Sequence, residues 1–365
     1  MRKILLIIDN LGSGGAQNQM TMLAVLLKNH GYNVEVFFYY PQSFFEYRLE
    51  SAGVKTHKMD KSSRYSFDVI WNLTKLRYKN KSMITISYLT TPNFYNVFTK
   101  LLTLGKSKAI ISYRSSTSIP QLSKLSKIKY WFINTFADHL VFNSKHERDN
   151  WTKFYPKLLI KSTCIYNYVD LKRFKLRKNF VRKRKLLVVG SVSPDKNGII
   201  VIEALNQLRN KFDIDLTWFG QKIFTITKRR EYILEMECKI KEYNLEDVWT
   251  WLEPTEDIEH IYPKYDALIL ASKKEGLPNV VCESLSTGTP VLISNVLDHP
   301  LLVKDEYNGF LFDPDHAPCL VSAVEKLYCM NDLEYKEMCR NAREHATNLF
   351  GEQFFLNNYL DLIDK

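Results

Sequence analysis

Short apolar runs alternate with longer amphipathic segments along most of the chain. The runs have the length of single β-strands, and the segments between them carry apolar residues at helical spacing. The run at residues 3–9 is continuously apolar between its charged ends, which predicts a strand buried on both faces, and the alternation predicts a parallel sheet covered by helices. Strands are predicted at residues 3–9, 34–39, 84–87, 109–112, 139–143, 185–189, 214–219, 248–251, 267–271 and 290–294.

The alternation stops once in the middle of the chain and then starts again. Residues 170–185 are charged and nearly free of small hydrophobic side chains, which is typical of a linker. A length of 365 residues also favours two domains. We therefore predict two doubly wound α/β domains, residues 1–172 and 173–345, and then a helix over residues 346–365. The apolar stripe of that helix comprises Phe350, Phe354, Phe355, Tyr359 and Leu362.

Charge is divided unevenly between the two halves. Residues 1–174 contain 26 Lys and Arg against 10 Asp and Glu, a net charge of +16; the whole chain carries +11, so residues 175–365 carry −5. Such asymmetry predicts that the first half meets an anionic partner. Nucleic acid, an anionic membrane surface and a phosphorylated acceptor all fit this charge, and so does a basic surface that serves solubility alone.

One segment of the basic half combines lysines with aromatic residues. A helix is predicted over residues 119–136, where Lys124, Lys127 and Lys129 accompany aromatic side chains at 130–132. A basic, aromatic amphipathic helix is typical of an anionic membrane interface. The alternative is that the aromatic side chains are buried in the core and the lysines are solvated.

Nothing in the sequence predicts a membrane span or a secretory signal. The longest apolar runs fall well short of the ~20 residues that a membrane-spanning helix needs, and residues 3–8 are followed at once by Asp9 without a small-residue cleavage site. The six cysteines show neither C-x-x-C pairs nor zinc spacing. We expect a cytoplasmic protein with free thiols and no metal.

Residues 273–291 carry the most specific chemistry. They read as a tight loop and a helix between two strands, with Pro278 at a position typical of a first helical turn. The unpaired amides at such a helix start favour an anion such as a diphosphate. Glu275 in the loop and Glu283 in the helix are carboxylates, which accept hydrogen bonds from sugar hydroxyls. Taken singly, each glutamate is also compatible with an ordinary helix-start or surface acid.

The turn after the first strand is rich in glycine, with Gly12, Gly14 and Gly15. It does not fit a dinucleotide fingerprint, because Gln17 occupies the third glycine position and Tyr39 and Tyr40 stand where an acidic residue binds ribose. A tight turn alone would also use these glycines. The interpretation we favour is a loop whose free amides approach a diphosphate.

A similar strand–loop–helix corner opens the second half. Lys196 lies in the loop that begins with Gly190 and Ser191, where an ammonium can neutralise a departing diphosphate. The end of the next strand at Gly220 and residues 252–254 are predicted to flank the base of a nucleotide. The Asp313-Pro314-Asp315 segment precedes a predicted helix, so N-capping is a better interpretation than metal binding.

Glu-x7-Glu, followed by small residues, Gly-x-Pro and a strand, resembles the donor-site signature of family-4 retaining glycosyltransferases. The resemblance extends over nearly the whole chain. It implies the GT-B fold: two Rossmann-like domains facing a central cleft, with the C-terminal helix crossing back to the N-terminal domain. It implies that Glu283 binds the ribose and that Glu275 lies near the donor hexose. Where the family has an arginine, this chain has Ser191, and Arg114 or another basic group is expected to take over part of its role.

The predicted catalytic residues are therefore Glu275, Lys196 and Arg114, with no metal. The predicted donor-binding residues are Gly14, Gly15, Ser191, Lys196, Gly220, Glu275, Gly276, Leu277, Pro278, Asn279, Val280 and Glu283.

The resemblance implies a retaining, metal-independent transfer of a hexose from a nucleotide diphosphate sugar such as a UDP-sugar. The implied acceptor is a glycan or lipid-linked glycan of bacterial surface polysaccharide, met at the inner face of the membrane, with no nucleic-acid partner and no cofactor beyond the donor. Two alternatives stay open. One is a degenerate relative that binds nucleotide sugar or membrane without turnover, and the other is a nucleotide-dependent oxidoreductase.

Overall fold

The computed structural model describes residues 3–61, 67–80, 83–105, 107–115 and 117–364. The chain divides into two compact units. The first unit comprises Met1–Tyr168 and Glu352–Lys365, and the second comprises Val169–Gly351.

Each unit is built on a parallel sheet. The first sheet has the strand order β3-β2-β1-β4-β5-β6-β7 and the second has the order β10-β9-β8-β11-β12-β13. The strands of the first sheet are β1 (Lys3–Ile7), β2 (Asn33–Phe38), β3 (Lys55–Lys58), β4 (Ile84–Tyr88), β5 (Lys108–Tyr113), β6 (His139–Phe142) and β7 (Ser162–Cys164). Those of the second are β8 (Lys185–Val189), β9 (Asp215–Phe219), β10 (Trp249–Leu252), β11 (Ala267–Leu270), β12 (Val291–Ser294) and β13 (Gly309–Phe312).

Helices connect the strands in both units. The first unit contains α1 (Gly15–Asn29), α2 (Glu46–Ser51), α3 (Phe67–Lys79), α4 (Thr90–Leu102), α5 (Lys124–Phe136) and α6 (Lys145–Phe154). The second contains α7 (Gly198–Leu208), α8 (Thr227–Glu242), α9 (Asn279–Ser286), α10 (His299–Leu302), α11 (Ala317–Cys329) and α12 (Asp332–Phe350). The last helix, α13 (Glu352–Asp364), returns to the first unit.

Strand β1 shows why its sequence is apolar throughout. Ile4 and Leu6 pack in one core cluster with Leu23 of α1, whereas Leu5 and Ile7 pack in another with α3. Alternate side chains of one strand therefore serve opposite faces of the sheet. All four are fully buried, as the pattern of the run predicted.

The C-terminal segment is two helices rather than one. Helix α12 continues past residue 346, the predicted start of the last helix, and ends at Phe350 with Gly351 as its C-cap. Phe350 is buried with the second unit, while Phe355 and Tyr359 of α13 pack in the core of the first. The predicted stripe thus combined side chains of two helices, and Phe354 lies outside the buried face at 37% exposure. The first boundary falls at residue 168 rather than 172.

The helix predicted over residues 119–136 is also interrupted. A short 3-10 turn at Ile119–Gln121 precedes α5, whose N-cap is Ser123. The Ser123 hydroxyl accepts a hydrogen bond from the amide of Ser126 at 3.2 Å. This cap fixes the start of α5 at Lys124.

Candidate functional site

Lys196 and Glu275 meet at the carboxyl ends of two neighbouring strands, β8 and β11. Lys196 Nζ lies 2.5 Å from Glu275 Oε1, although 79 residues separate them in sequence. The hydroxyl of Ser272 donates to the same carboxylate oxygen at 3.0 Å. Each charged side chain is 21% exposed, so the pair is accessible to a ligand. Two of the three predicted catalytic residues are therefore in direct contact.

Two glycines make the corner beside Lys196 possible. Gly190 has a φ of +139°, a conformation that side-chain-bearing residues rarely adopt, and a Cβ on it would lie 3.1 Å from Lys196 Cε. Gly220 approaches the same turn, since a Cβ there would lie 1.9 Å from the carbonyl oxygen of Gly190. That oxygen accepts a hydrogen bond from Trp218 Nε1 at 2.8 Å. Ser191, next in the chain, is exposed.

The loop after β11 leads into α9, as the proline pattern predicted. Leu277 and Pro278 are buried, and Pro278 occupies the N-cap position in an extended conformation. Gly276, Asn279 and Val280 are half-buried around the helix start. The amides of the first helical turn therefore point toward the end of the loop that holds Glu275.

Glu283 lies in α9 within a polar cluster of its own. Tyr262 donates its hydroxyl proton to Glu283 Oε2 at 2.9 Å. Arg173 is paired with Glu259 at 2.8 Å and lowers the pKa of Glu283 by its charge. Burial is the larger influence and raises the pKa of Glu283 to about 7. This carboxyl is poised to change its charge near neutral pH.

Three polar residues of this region were not predicted. Tyr262 and Arg173 reach Glu283 from segments without a recognisable motif. His299 is buried at the start of α10, with Nδ1 2.8 Å from the carbonyl oxygen of Ser294. Its Nε2 has no hydrogen-bond partner in the described part of the chain. No spacing signal marks the contacts of Tyr262 and Arg173, because both residues lie far from Glu283 in sequence.

The predicted residues of the first unit lie at the ends of β1 and β5. Gly14 is the N-cap of α1 and is extended, and a Cβ on it would lie 2.2 Å from Gln17 Oε1. Gly15 opens α1. Arg114 stacks on the ring of Tyr88 at 3.9 Å and donates to the hydroxyl of Tyr359 at 3.2 Å. The roles expected for these residues on the donor phosphates stay predictions.

The aspartates before α11 do not cap it. The N-cap is His316, without a side-chain hydrogen bond, so N-capping was wrong here. Asp313 accepts from the amide of Asp315, and Asp315 pairs with Lys273 at 2.6 Å. Among the described residues, no group of three or more His, Cys, Asp or Glu side chains is arranged to hold a metal. None of the described helices is long and apolar enough to span a membrane.

The arrangement in the second unit can bind a phosphorylated sugar. The Lys196 ammonium is of a kind that can bind a diphosphate in place of Glu275, and the Glu275 carboxylate is of a kind that can bind a sugar hydroxyl in place of Lys196. Glu283, when ionised, can accept hydrogen bonds from a pair of vicinal hydroxyls. With such a ligand bound, Lys196 would still contact an anion and Glu275 would still accept a hydrogen bond, so neither charged group would lose its partner.

Comparison with known proteins shows relatives over the whole chain. Residues 170–348 match the model of the family Glycosyl transferases group 1. The chain is 25% identical, over 95% of its length and 94% of the relative, to the Campylobacter jejuni GalNAc-α-(1→4)-GalNAc-α-(1→3)-diNAcBac-PP-undecaprenol α-1,4-N-acetyl-D-galactosaminyltransferase. It is 27% identical to the Escherichia coli UDP-Gal:α-D-GlcNAc-diphosphoundecaprenol α-1,3-galactosyltransferase, over 53% of this chain and 51% of that protein.

Solved structures match the fold at low sequence identity. Anabaena Alr3699/HepE in complex with UDP superposes with a TM-score of 0.85 at 17% identity, covering 99% of both chains. A glycosyltransferase from Rickettsia africae gives a TM-score of 0.84 at 17% identity, covering 99% of this chain and 97% of that one. The prediction of a GT-B fold built from two Rossmann-like parallel-sheet domains is confirmed.

Proposed function

We propose that the chain, a glycosyltransferase whose residues 170–348 match the model of the family Glycosyl transferases group 1, binds a nucleotide diphosphate sugar in its second unit. The observation that carries the proposal is the contact between Lys196 and Glu275 beside the start of α9. This contact places three groups together at the carboxyl end of the second sheet: a cation for phosphate, a carboxylate for sugar hydroxyls and the amides of a helix start.

In the proposed reaction the bond between the sugar C1 and the leaving phosphate oxygen breaks as the acceptor oxygen bonds to C1. Lys196 and the amides at the start of α9 stabilise the charge that develops on the diphosphate. The acceptor attacks from the face that the diphosphate leaves, which retains the anomeric configuration, and its proton passes to a phosphate oxygen. Positioning and electrostatics supply the catalysis, without a protein nucleophile and without a metal.

The two glutamates are proposed to read different sugars of the donor. Glu283 accepts hydrogen bonds from the ribose hydroxyls, and Tyr262 orients its carboxylate. Glu275 contacts a hydroxyl of the transferred hexose. A UDP-sugar is the proposed donor class, and the UDP complex of the structurally similar HepE supports this choice.

The proposed acceptor is a glycan carried on a polyprenyl diphosphate, used in cell-surface polysaccharide synthesis. Two relatives support it, because their names specify undecaprenol carriers. A protein acting on such an acceptor works at the inner face of the membrane, and the net +16 charge of residues 1–174 suits an anionic surface.

The test is a panel of UDP-, GDP- and ADP-sugars screened for thermal stabilisation, followed by transfer to a polyprenyl-diphosphate-linked glycan. Stabilisation by UDP-sugars and a glycosylated lipid product are expected. Binding without either transfer or donor hydrolysis would instead support a relative that has lost turnover, which Ser191 in place of the family's arginine would explain.

A further inference from the structure

The first unit contains an amphiphilic groove between α3, α4 and α5, with a volume of about 840 Å³. Its walls include Phe94 and Tyr95 of α4 together with Ile128, Lys129 and Trp131 of α5. Lys61, which follows β3, also lines it. Its volume lies in the range of small-ligand sites.

Much of the apolar lining is unusually accessible. Phe67 is 82% exposed, Leu125 80%, Ile128 61% and Trp131 55%, and all four line the groove. Contiguous exposed apolar surface of this kind marks a place where an apolar partner binds. Among the aromatic residues of the basic helix, Trp131 is exposed, whereas Tyr130 and Phe132 are half-buried.

Two lysines give the same groove a positive pole. Lys61 donates to the Tyr95 hydroxyl at 2.9 Å and lies over the Tyr95 ring at 5.2 Å. Lys129 lies over the Phe94 ring at 5.7 Å. Burial and repulsion by Lys61 lower the pKa of Lys129. Within the described ranges the two lysines donate to hydroxyls, Lys61 to Tyr95 and Lys129 to Thr91 at 3.5 Å, and neither pairs with a carboxylate. An anion between them would therefore relieve their repulsion.

The groove opens where ligands of parallel sheets bind. Tyr40, Lys61 and Thr91 line it, and they follow β2, β3 and β4 respectively. The carboxyl ends of these strands lie on the same edge of the sheet, which is the usual ligand-binding edge of a doubly wound domain.

We propose that this groove binds the polyprenyl diphosphate of the lipid-linked acceptor, with the diphosphate at Lys61 and Lys129 and the first isoprene units along Ile128 and Trp131. The proposal rests on the lipid-linked acceptor of the proposed function. A phosphorylated hydrocarbon matches both the charge and the apolar walls. A free sugar phosphate would leave the apolar walls in contact with water.

Calorimetric titration with farnesyl diphosphate tests the site directly, because it requires no turnover. Farnesyl diphosphate is expected to bind at least tenfold more tightly than farnesol or inorganic diphosphate, since only the complete amphiphile contacts both walls and lysines. Equal affinity for farnesyl diphosphate and inorganic diphosphate, or no binding of farnesyl diphosphate, would overturn the proposal.

Substitutions in the groove test whether farnesyl diphosphate binds there. Ile128→Asp and Lys61→Gln are expected to weaken farnesyl diphosphate binding at least tenfold. The matched controls are Ile160→Asp and Lys157→Gln, at exposed positions of the same unit outside the groove, and they are expected to bind like the wild type. UDP-sugar affinity, a property of the second unit, should be unchanged in all four, and a circular-dichroism spectrum and thermal transition like those of the wild type show that the first unit is folded.

Two further outcomes distinguish an acceptor-binding groove from a membrane contact and from the transferase function itself. If Ile128→Asp abolishes binding to phosphatidylglycerol vesicles while farnesyl diphosphate never binds, the groove is a membrane contact and the acceptor site proposed here is wrong. If a tail-free glycan acceptor is glycosylated but farnesyl diphosphate does not bind, the transferase function stands and the groove assignment fails.

Discussion

We propose that the contact between Lys196 and Glu275 contributes more to sugar transfer than to the stability of the fold. The pair is 2.5 Å apart yet each side chain is 21% exposed. Partly exposed ion pairs contribute roughly 0–1 kcal/mol to folding. The same ammonium acting on a developing phosphate charge in a desolvated site is worth considerably more. A substitution of Lys196 separates its contribution to folding from its contribution to catalysis.

Lys196→Met removes the charge and keeps most of the side-chain volume. We predict that kcat for sugar transfer falls by about 100-fold or more, as when one electrostatic contact to a transition state is deleted. The free energy of unfolding should change by no more than about 1 kcal/mol. The measurements are steady-state transfer kinetics and urea unfolding. Turnover within a few-fold of the wild type would remove Lys196 from the proposed mechanism.

Glu283 should make donor binding dependent on pH. Burial raises its pKa to about 7, above the ordinary range, so the carboxylate that we propose accepts ribose hydrogen bonds is formed only as pH rises through that value. Affinity for UDP-glucose is predicted to rise roughly tenfold between pH 6 and pH 8. The same titration of Glu283→Gln should be nearly flat. UDP-glucose is the suitable probe, because its diphosphate diester lacks the phosphate ionisation near pH 6.

At the scale of elements, the position of the turn that carries Lys196 depends on how closely the ends of β8 and β9 approach each other. Gly190 donates its amide to the carbonyl of Phe219 at 2.9 Å, and the space for a side chain at Gly220 is taken by the Gly190 carbonyl. The turn that carries Lys196 is therefore set by a contact between two backbones.

Gly220→Ala should push these strand ends apart. Overpacking of this kind costs about 1–3 kcal/mol, and donor affinity should fall with it because the loop holding Lys196 shifts. Urea unfolding and donor titration measure the two effects. Gly105→Ala is the control, since a Cβ there meets no atom within 4 Å and only the positive φ of 66° is strained. An alanine at position 220 that costs no more than the control would contradict the account.

Central elements could be predicted from the sequence, and peripheral ones could not. The buried strands β1 and β8 are recognisable in the sequence as apolar runs. The edge strands β3 and β7 are short and carry mostly polar residues, so they resemble loops. The break at Gly351 lies within a continuous apolar stripe, so periodicity alone does not reveal it.

The candidate site also combines residues that the sequence predicts with residues that it does not. The loop and helix that hold Glu275 and Glu283 have a recognisable spacing, and Lys196 has a recognisable place after a strand. The partners that tune Glu283, Tyr262 and Arg173, come from distant segments. Their contribution follows from tertiary packing and leaves no local signal.

At the scale of the whole molecule, the two halves of the sequence differ in charge as well as in the residues they supply. Residues 1–174 carry a net +16, whereas the remainder carries −5. An excess of this size attracts an anionic surface, and the attraction is screened by salt. The lipid-linked acceptor and the soluble donor are therefore expected to respond differently to ionic strength.

Transfer to a lipid-linked acceptor in phosphatidylglycerol vesicles is predicted to fall several-fold as salt shortens the screening length from about 10 Å at 0.1 M to about 3 Å at 1 M. Transfer to a tail-free glycan should change less than about twofold over the same range. Initial rates with the two acceptors provide the comparison. An identical salt response would mean that the basic charge does not recruit the acceptor.

The most direct test of the donor site in the second unit is calorimetric titration of a UDP-sugar into the wild type, Glu283→Ala and a control, Glu246→Ala, at an exposed position of the same unit. Hydrogen bonds to a charged group are worth about 1.5–3 kcal/mol each. Loss of the ribose contacts is therefore predicted to weaken donor binding by roughly 100-fold, with the control unchanged. Wild-type affinity in Glu283→Ala would contradict the site.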